Sequence, residues 1–208
     1  MLDIHVDVTR GAALAEWMTA FGTLGAVLVA LFGPMLWAWW RSPRLEIGYE
    51  PREPYCRDTQ MERRYIAEGA LFQAHWIRVK VRNRGRGTAK SCKGKMIAVY
   101  RADGSLREDR DSMLLKWAGI PEDQQLTPLD LAPHEWQFLN VTRADSEYPT
   151  KALVATDFDA RPGFPQTLEA GQTHKVRLAV YADNAEPVTR DFVIEFNGDI
   201  HSLEIRPA

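Results

Sequence analysis

Cysteine is scarce in this chain, with two residues, Cys56 and Cys92, among 208. Two thiols cannot build a disulfide framework or a four-cysteine zinc site. Neither has a histidine at ligand spacing, so both read as structural, unreactive thiols. The five histidines, His5, His75, His134, His174 and His201, stand far apart in the chain, which excludes an HExxH-type metal pair. A Gly-x-Ser-x-Gly elbow, a phosphate-binding loop and a full dinucleotide fingerprint are all missing. Gly85-Arg86-Gly87 has half the dinucleotide spacing but is expected to lie in a hairpin between strands, with no helix after it to receive a pyrophosphate. Internal repeats and low-complexity tracts are absent as well. The formal net charge is only −2, so bulk charge points to no duplex nucleic-acid partner. These absences describe a non-enzymatic chain with no cofactor, no metal site and no catalytic residues.

Charge is also missing from one long stretch. Between Glu16 and Arg41 run 24 uncharged residues, WMTAFGTLGAVLVALFGPMLWAWW. As a helix this covers roughly 36 Å, enough for a hydrocarbon core of about 30 Å. Trp17 stands at one end and Trp37, Trp39 and Trp40 at the other, where indole favours the headgroup layer. A buried core helix of this length would show a polar face, and this one shows none. A cleaved signal peptide fits poorly, because residues 1–16 carry Asp3, Asp7 and Glu16 against Arg10 alone. The expected layout is a short N-terminal tail at 1–16, a transmembrane helix at 17–40 and one further domain at 41–208. Arg41, Arg44, Arg52, Arg57, Arg63 and Arg64 follow the span. That asymmetry places the tail outside and the domain in the cytoplasm, at the inner membrane. Pro34 is expected to kink the helix. Gly22, Ala26 and Ala30 form a small-residue stripe that suits close helix contact and self-association in lipid.

Beyond residue 40 the dominant period is two, the mark of half-buried strands. Leu45, Ile47 and Tyr49 alternate, as do Ile77, Val79 and Val81, then Val176, Leu178 and Val180, then Phe192, Ile194 and Phe196. Met96 to Tyr100 reads as a strand buried on both sides, and Phe138, Leu139 and Val141 as another short strand. Turn signals at Asn83-Arg84-Gly85, Asp103-Gly104, Ala132-Pro133, Ala170-Gly171, Asp183-Asn184 and Asn197-Gly198 separate the runs. Residues 105–125 read as irregular with a short helical turn. Seven or eight short strands imply an antiparallel sandwich or barrel.

The segment IRVKVRNRGRGTAKSCKGKMIAVYRADG (77–104) resembles the paired strands of bacterial immunoglobulin-like domains of the CARDB type. Val81, Asn83, Gly85 and Ala89 match their V-x-N-x-G-x-x-x-A signature. LDLAPHEWQFLNV (129–141) is similar to their later L-x-P-G-E turn and strand, with His134 where glycine is usual. The resemblance covers about a third of the chain. It implies a mainly β, immunoglobulin-like sandwich used for binding, spacing or assembly.

Two further clusters hold acidic or histidine side chains close in sequence. Asp199 and His201 would share a face if extended, with Glu204 opposite, which reads as a polar strand end. Asp157 and Asp159 also share a face if extended, but a loop before Pro162-Gly163 suits them better. Charge segregation stands above this background. Arg78, Lys80, Arg82, Arg84, Arg86, Lys90, Lys93 and Lys95 place eight positive charges in 18 residues without an acid. If Lys93 and Lys95 pair beside the row Arg78, Lys80, Arg82, the patch is two strands wide. It reads as a solvated outer face, as a surface for anionic lipid, or as a site for a phosphate-bearing, nucleotide-like ligand with Trp76 for stacking. A single-span anchor with a β-rich cytoplasmic domain resembles the layout of some bacterial antiphage effectors, in which ligand binding promotes oligomerisation. The partners expected are therefore membrane lipid, a protein partner or a second copy, and an anionic small ligand. An exported adhesion domain would require the opposite topology.

Overall fold

A computed structural model describes residues 8–62, 71–101, 103–108, 112–156 and 167–208. The chain divides into two compact units, Met1–Arg41 and Ser42–Ala208.

The first unit is one helix, α1 (Val8–Trp40). It begins well before Trp17, so residues 8–16 extend the helix. Its segment Glu16–Trp40 is long and apolar enough to cross a membrane, and none of its length is buried. Trp17, Phe21, Leu31, Leu36 and Trp39 all stand exposed. Gly22 has open space around it, and Ala26 and Ala30 are exposed too. At the C-terminal end the Arg41 amide donates to the Trp37 carbonyl at 3.0 Å. The Arg41 guanidinium lies 4.4 Å from the centroid of the Trp37 ring, a cation–π contact of the kind that anchors a helix end at an interface.

The second unit is a two-sheet antiparallel sandwich. Its described strands are β1 (Leu45–Gly48), β2 (Cys56–Glu62), β3 (Leu71–Asn83), β4 (Ala89–Tyr100), β5 (Leu106–Glu108), β6 (Met113–Leu114), β7 (Leu129–Leu131), β8 (Trp136–Asp145), β9 (Lys151–Val154), β10 (Thr167–Glu169), β11 (Gln172–Ala182), β12 (Ala185–Phe196) and β13 (Glu204–Pro207). The first sheet runs β1-β3-β8-β9-β10, with β2 also on β3. Because β8 takes one edge of β3, β1 and β2 lie in succession along the other. The second sheet runs β13-β12-β11-β4-β5, with β6 and β7 also on β4. The fold is mainly β, a two-sheet antiparallel sandwich preceded by one apolar helix.

Alternation explains the layers. Ile77, Val79 and Val81 of β3 and Leu139 and Val141 of β8 face inward, against Met96, Val176, Leu178, Val180, Phe192 and Ile194 of the second sheet. The Met96–Tyr100 run breaks alternation because β4 bulges where Arg177 pairs with Ala98 and Leu178 with Met96. Ile97 is the extra residue. Ile97 and Tyr100 remain half-exposed, so this strand is not covered on both sides.

After β6 the chain, expected to be irregular across 105–125, touches both sheets before β7 returns it to β4. The Leu115 amide donates to the Gly94 carbonyl on β4, and the Ala118 amide to the Phe138 carbonyl on β8. Trp117, fully buried, bridges to Leu139 between them. The short helical turn is a 3-10 turn at Glu122–Gln124.

Asn83 ties the signature together. Its Oδ1 accepts from the Arg44 amide at 3.1 Å and the Gly85 amide at 2.9 Å. Its Nδ2 donates to the carbonyls of Gly87 at 2.7 Å and Leu131 at 3.0 Å. A Cβ on Gly85 would collide with the backbone of Ser42, Pro43 and Arg44. The spacing N-x-G therefore clamps the entering chain, the β3–β4 loop and the turn before β8 around one buried amide. In that turn His134 adopts φ +66°, the left-handed conformation that suits glycine.

Candidate functional site

Alternation puts Trp76, Arg78, Lys80 and Arg82 on the outer face of the first sheet, as the sequence suggested. The structure does not place Lys93 and Lys95 beside them. β3 pairs with β1, β2 and β8, whereas β4 pairs with β11, β5, β6 and β7. The two basic strands thus belong to opposite sheets, and residues 84–88 cross between them rather than closing a hairpin. The two-strand basic patch does not form. Arg84 pairs with Glu46, and Arg86 is exposed beside it in the loop. Lys95 stands 5.4 Å from the Tyr181 ring on the second sheet, with Lys93 opposite Tyr181 in register.

The surviving basic row is one strand wide and framed by aromatics. Register sets Trp76 across from Arg143, Arg78 from Asn140, Lys80 from Phe138 and Arg82 from Trp136. Arg78 Nε donates to Asn140 Oδ1 at 2.9 Å. Lys80 Nζ lies 4.5 Å from the centroid of the Trp136 ring, itself 46% exposed. Trp136 meets Phe138 edge-on at 5.2 Å, and Phe138 meets Tyr55 at 5.1 Å. The Nε of Arg82 is buried without a hydrogen-bond partner. Burial first, and then the nearby Arg57 charge, lower the Arg78 pKa. Among the described residues no carboxylate forms an ion pair with Arg78, Lys80 or Arg82. Trp76 is less open than a stacking platform requires. Its Nε1 donates to Thr59 Oγ1 at 2.9 Å, and the Arg143 guanidinium already sits 5.1 Å from its ring centroid.

A second constellation, invisible in the spacing, gathers at one end of the sandwich. Asp58 on β2 faces His75 on β3 in direct register, with Asp58 Oδ1 at 2.5 Å from His75 Nδ1. The 3-10 turn Ile200–Ser202 brings His201 over them. His201 Nδ1 lies 3.8 Å from the same Asp58 oxygen, and the two imidazoles meet edge to face at 5.7 Å. The Cys56 thiol stands 3.2 Å from the Tyr49 hydroxyl. Burial opposes ionisation of Cys56, but the neighbouring His75 and Tyr49 hold its pKa below that of an ordinary thiol. Cys56, and after it Asp58, raises the His75 pKa against the pull of burial. Burial pushes the Tyr49 hydroxyl upward. Cys92, by contrast, is fully buried, and burial drives its thiol up to about 11.

Of the sequence cluster Asp199, His201 and Glu204, Asp199 caps the turn by accepting from the His201 amide at 2.8 Å. It is the turn's scaffold, and His201 points to Asp58 instead. His174 is buried with Nε2 3.3 Å from the Glu169 carbonyl. His5, Arg63, Arg64, Asp157 and Asp159 lie outside the described residues.

No protein-family model and no curated protein matches the chain. Among solved structures, the X-ray structure of Northeast Structural Genomics Consortium target SoR45 aligns over 78% of this chain and 92% of its own. Identity is 11% and the TM-score 0.31, a likeness too slight to bear on fold or function.

Proposed function

We propose that this protein is a membrane-anchored, non-enzymatic binding and assembly module. In this reading α1 spans the inner membrane with its N-terminus outside, and the sandwich works in the cytoplasm. The observation that carries it is the 25-residue apolar segment Glu16–Trp40, none of which is buried, followed by a sandwich whose core is already filled by its own two sheets. A helix that buries nothing in its own chain finds its apolar partner in lipid or in a second copy. Gly22, Ala26 and Ala30 supply a face for the second. The test is a reporter active only in the cytoplasm, fused after Ala208, together with membrane fractionation. Activity in the membrane fraction is expected, and a silent reporter overturns the topology.

A second reading is favoured by the row Arg78, Lys80 and Arg82. Three cations without an acidic partner among the described residues, bordered by an exposed Trp136, suit an anionic, nucleotide-like ligand whose binding drives oligomerisation. Calorimetry of the full chain in neutral detergent micelles against nucleoside polyphosphates at low salt tests it. Saturable heat lost in Arg78→Ala and Arg82→Ala supports this reading, and no heat removes it.

A further inference from the structure

We infer that Asp58, His75 and His201 form a binding site for a zinc-class divalent cation. This goes beyond the anchored-module reading and does not depend on it.

The argument begins with donor geometry. One donor atom from each of the three residues lies within 4.8 Å of the other two. A tetrahedral ion with bonds of about 2.0–2.1 Å to nitrogen and oxygen holds its donors roughly 3.3 Å apart. The Asp58–His75 pair at 2.5 Å must therefore open slightly, and the Asp58–His201 pair at 3.8 Å must close. Both moves are cheap, because the side chains of Asp58 and His201 are 63% and 61% exposed and free to adjust their rotamers. His75, only 14% exposed, is the fixed point.

The surroundings supply what a ligand set needs. Nδ1 of His75 is already turned to Asp58, so the ring presents that nitrogen to the site without a flip. The turn that carries His201 is held as well, at its backbone. Asp199 accepts from the His201 amide, the Ser202 hydroxyl donates to the Asp199 carbonyl at 2.6 Å, and the Asn197 amide donates to Ser202 Oγ at 3.1 Å. The three ligands come from β2, β3 and the turn before β13, so an ion there would fasten the C-terminal turn to the β2–β3 pair.

Two imidazoles and one carboxylate select borderline ions such as zinc or cobalt over the oxygen-seeking magnesium. The cation replaces the proton shared by His75 and Asp58, and that proton leaves to solvent. The outward side of the cluster is open, which leaves the fourth position to water.

The experiment uses the full, tag-free chain in detergent micelles, titrated with zinc chloride and with cobalt chloride. One saturable site per chain is expected for each, with none for magnesium chloride. Zinc should raise the melting temperature of the parent protein. His201→Ala, at an exposed position that need not disturb folding, should bind zinc at least tenfold more weakly and lose that rise. Asp58→Asn should behave likewise, while His134→Ala should bind as the parent does. Bound cobalt should show no thiolate-to-cobalt charge-transfer absorption. Absence of a saturable site, equal binding by His201→Ala and Asp58→Asn, or a strong charge-transfer band placing Cys56 among the ligands would each overturn the assignment.

Discussion

Gly94 on β4 and Leu139 on β8 meet across the two sheets so closely that any Cβ on Gly94 would run into the Leu139 side chain. Leu139 is fully buried, and Trp117 bridges to it from the segment after β6. The sheets are thus set at a spacing that only glycine permits at this point. Gly94→Ala should destabilise the sandwich by about 1–3 kcal/mol through overpacking. Leu139→Ala alone leaves a cavity and should cost roughly 2–5 kcal/mol. The double variant should cost clearly less than the two singly measured losses combined, because each change relieves the other. Urea unfolding of the three variants reads the coupling, and strict additivity would contradict the close approach.

Asn83→Ala removes an amide that satisfies backbone groups on three segments, those of Arg44, Gly85 and Leu131 among them. Leaving several buried groups unpaired should cost about 2–4 kcal/mol. Asn83→Asp should also destabilise, since a carboxylate keeps the acceptor toward Arg44 and Gly85 but cannot donate to Gly87 and Leu131. Thermal or chemical unfolding gives both values. A loss below about 0.5 kcal/mol for Asn83→Ala would show that the clamp is not what joins these loops.

His134 occupies an exposed turn at φ +66°. A residue with a Cβ is strained there by roughly 1–2 kcal/mol, part of which glycine gives back as chain entropy in the unfolded state. His134→Gly should therefore stabilise the protein by about 0.5–1 kcal/mol, seen as a raised urea midpoint with an unchanged slope. No gain would mean that the imidazole makes a compensating contact.

Much of the sandwich was legible because period two writes itself into long strands. The runs at Ile77, Val176 and Phe192 all fall inside β3, β11 and β12, and each turn signal named lies at a strand end. Short strands escaped. β6 has two residues, and β2, reading CRDTQME, carries almost no apolar alternation, because past Cys56 it continues beyond the packed core. The width of the basic patch is not legible locally, for a different reason. Sequence neighbours separated by a loop look like a hairpin, and nothing local says that the loop crosses from one sheet to the other. The Asp58, His75 and His201 cluster was illegible because its members depend on strand register and on a turn 126 residues beyond His75. Asp58 opposite His75 follows only once β2 is known to pair with β3.

The two thiols should behave differently toward alkylating agents. Cys56 is half-buried, with its thiolate favoured by His75 and Tyr49, whereas Cys92 is fully buried with its pKa pushed up to about 11. Iodoacetamide at neutral pH should label Cys56 in the folded protein and leave Cys92 unmodified until denaturant is added. Mass spectrometry of the labelled chain decides it. Equal labelling of both, or labelling of Cys92 first, would contradict the burial that separates them.

Acid stability should depend on a pair on the second sheet. Arg177 Nε donates to Asp191 Oδ1 at 2.6 Å and a terminal nitrogen to Oδ2 at 2.9 Å, with Lys175 Nζ 3.0 Å from Oδ2. The Arg177 hydrogen bonds, opposed by burial and aided by Lys175, lower the Asp191 carboxyl to about 2. An unfolded aspartate titrates near 3.9. The folded value is depressed, so the contribution is fully present above about pH 4 and is lost as pH falls toward 2. Arg177 and Lys175 are 43% and 44% exposed, so water screens the interaction and its worth is about 1 kcal/mol rather than the full value of a buried pair. Asp191→Asn should lower stability by that amount at pH 7 and leave it nearly unchanged at pH 2, where the parent carboxyl is already about half protonated. The gap should narrow further in 1 M salt, where the screening length shrinks to about 3 Å. Urea midpoints at pH 7, 4 and 2 test the sign. A gap that widens on acidification would mean that Asp191 is held by something other than its two cations.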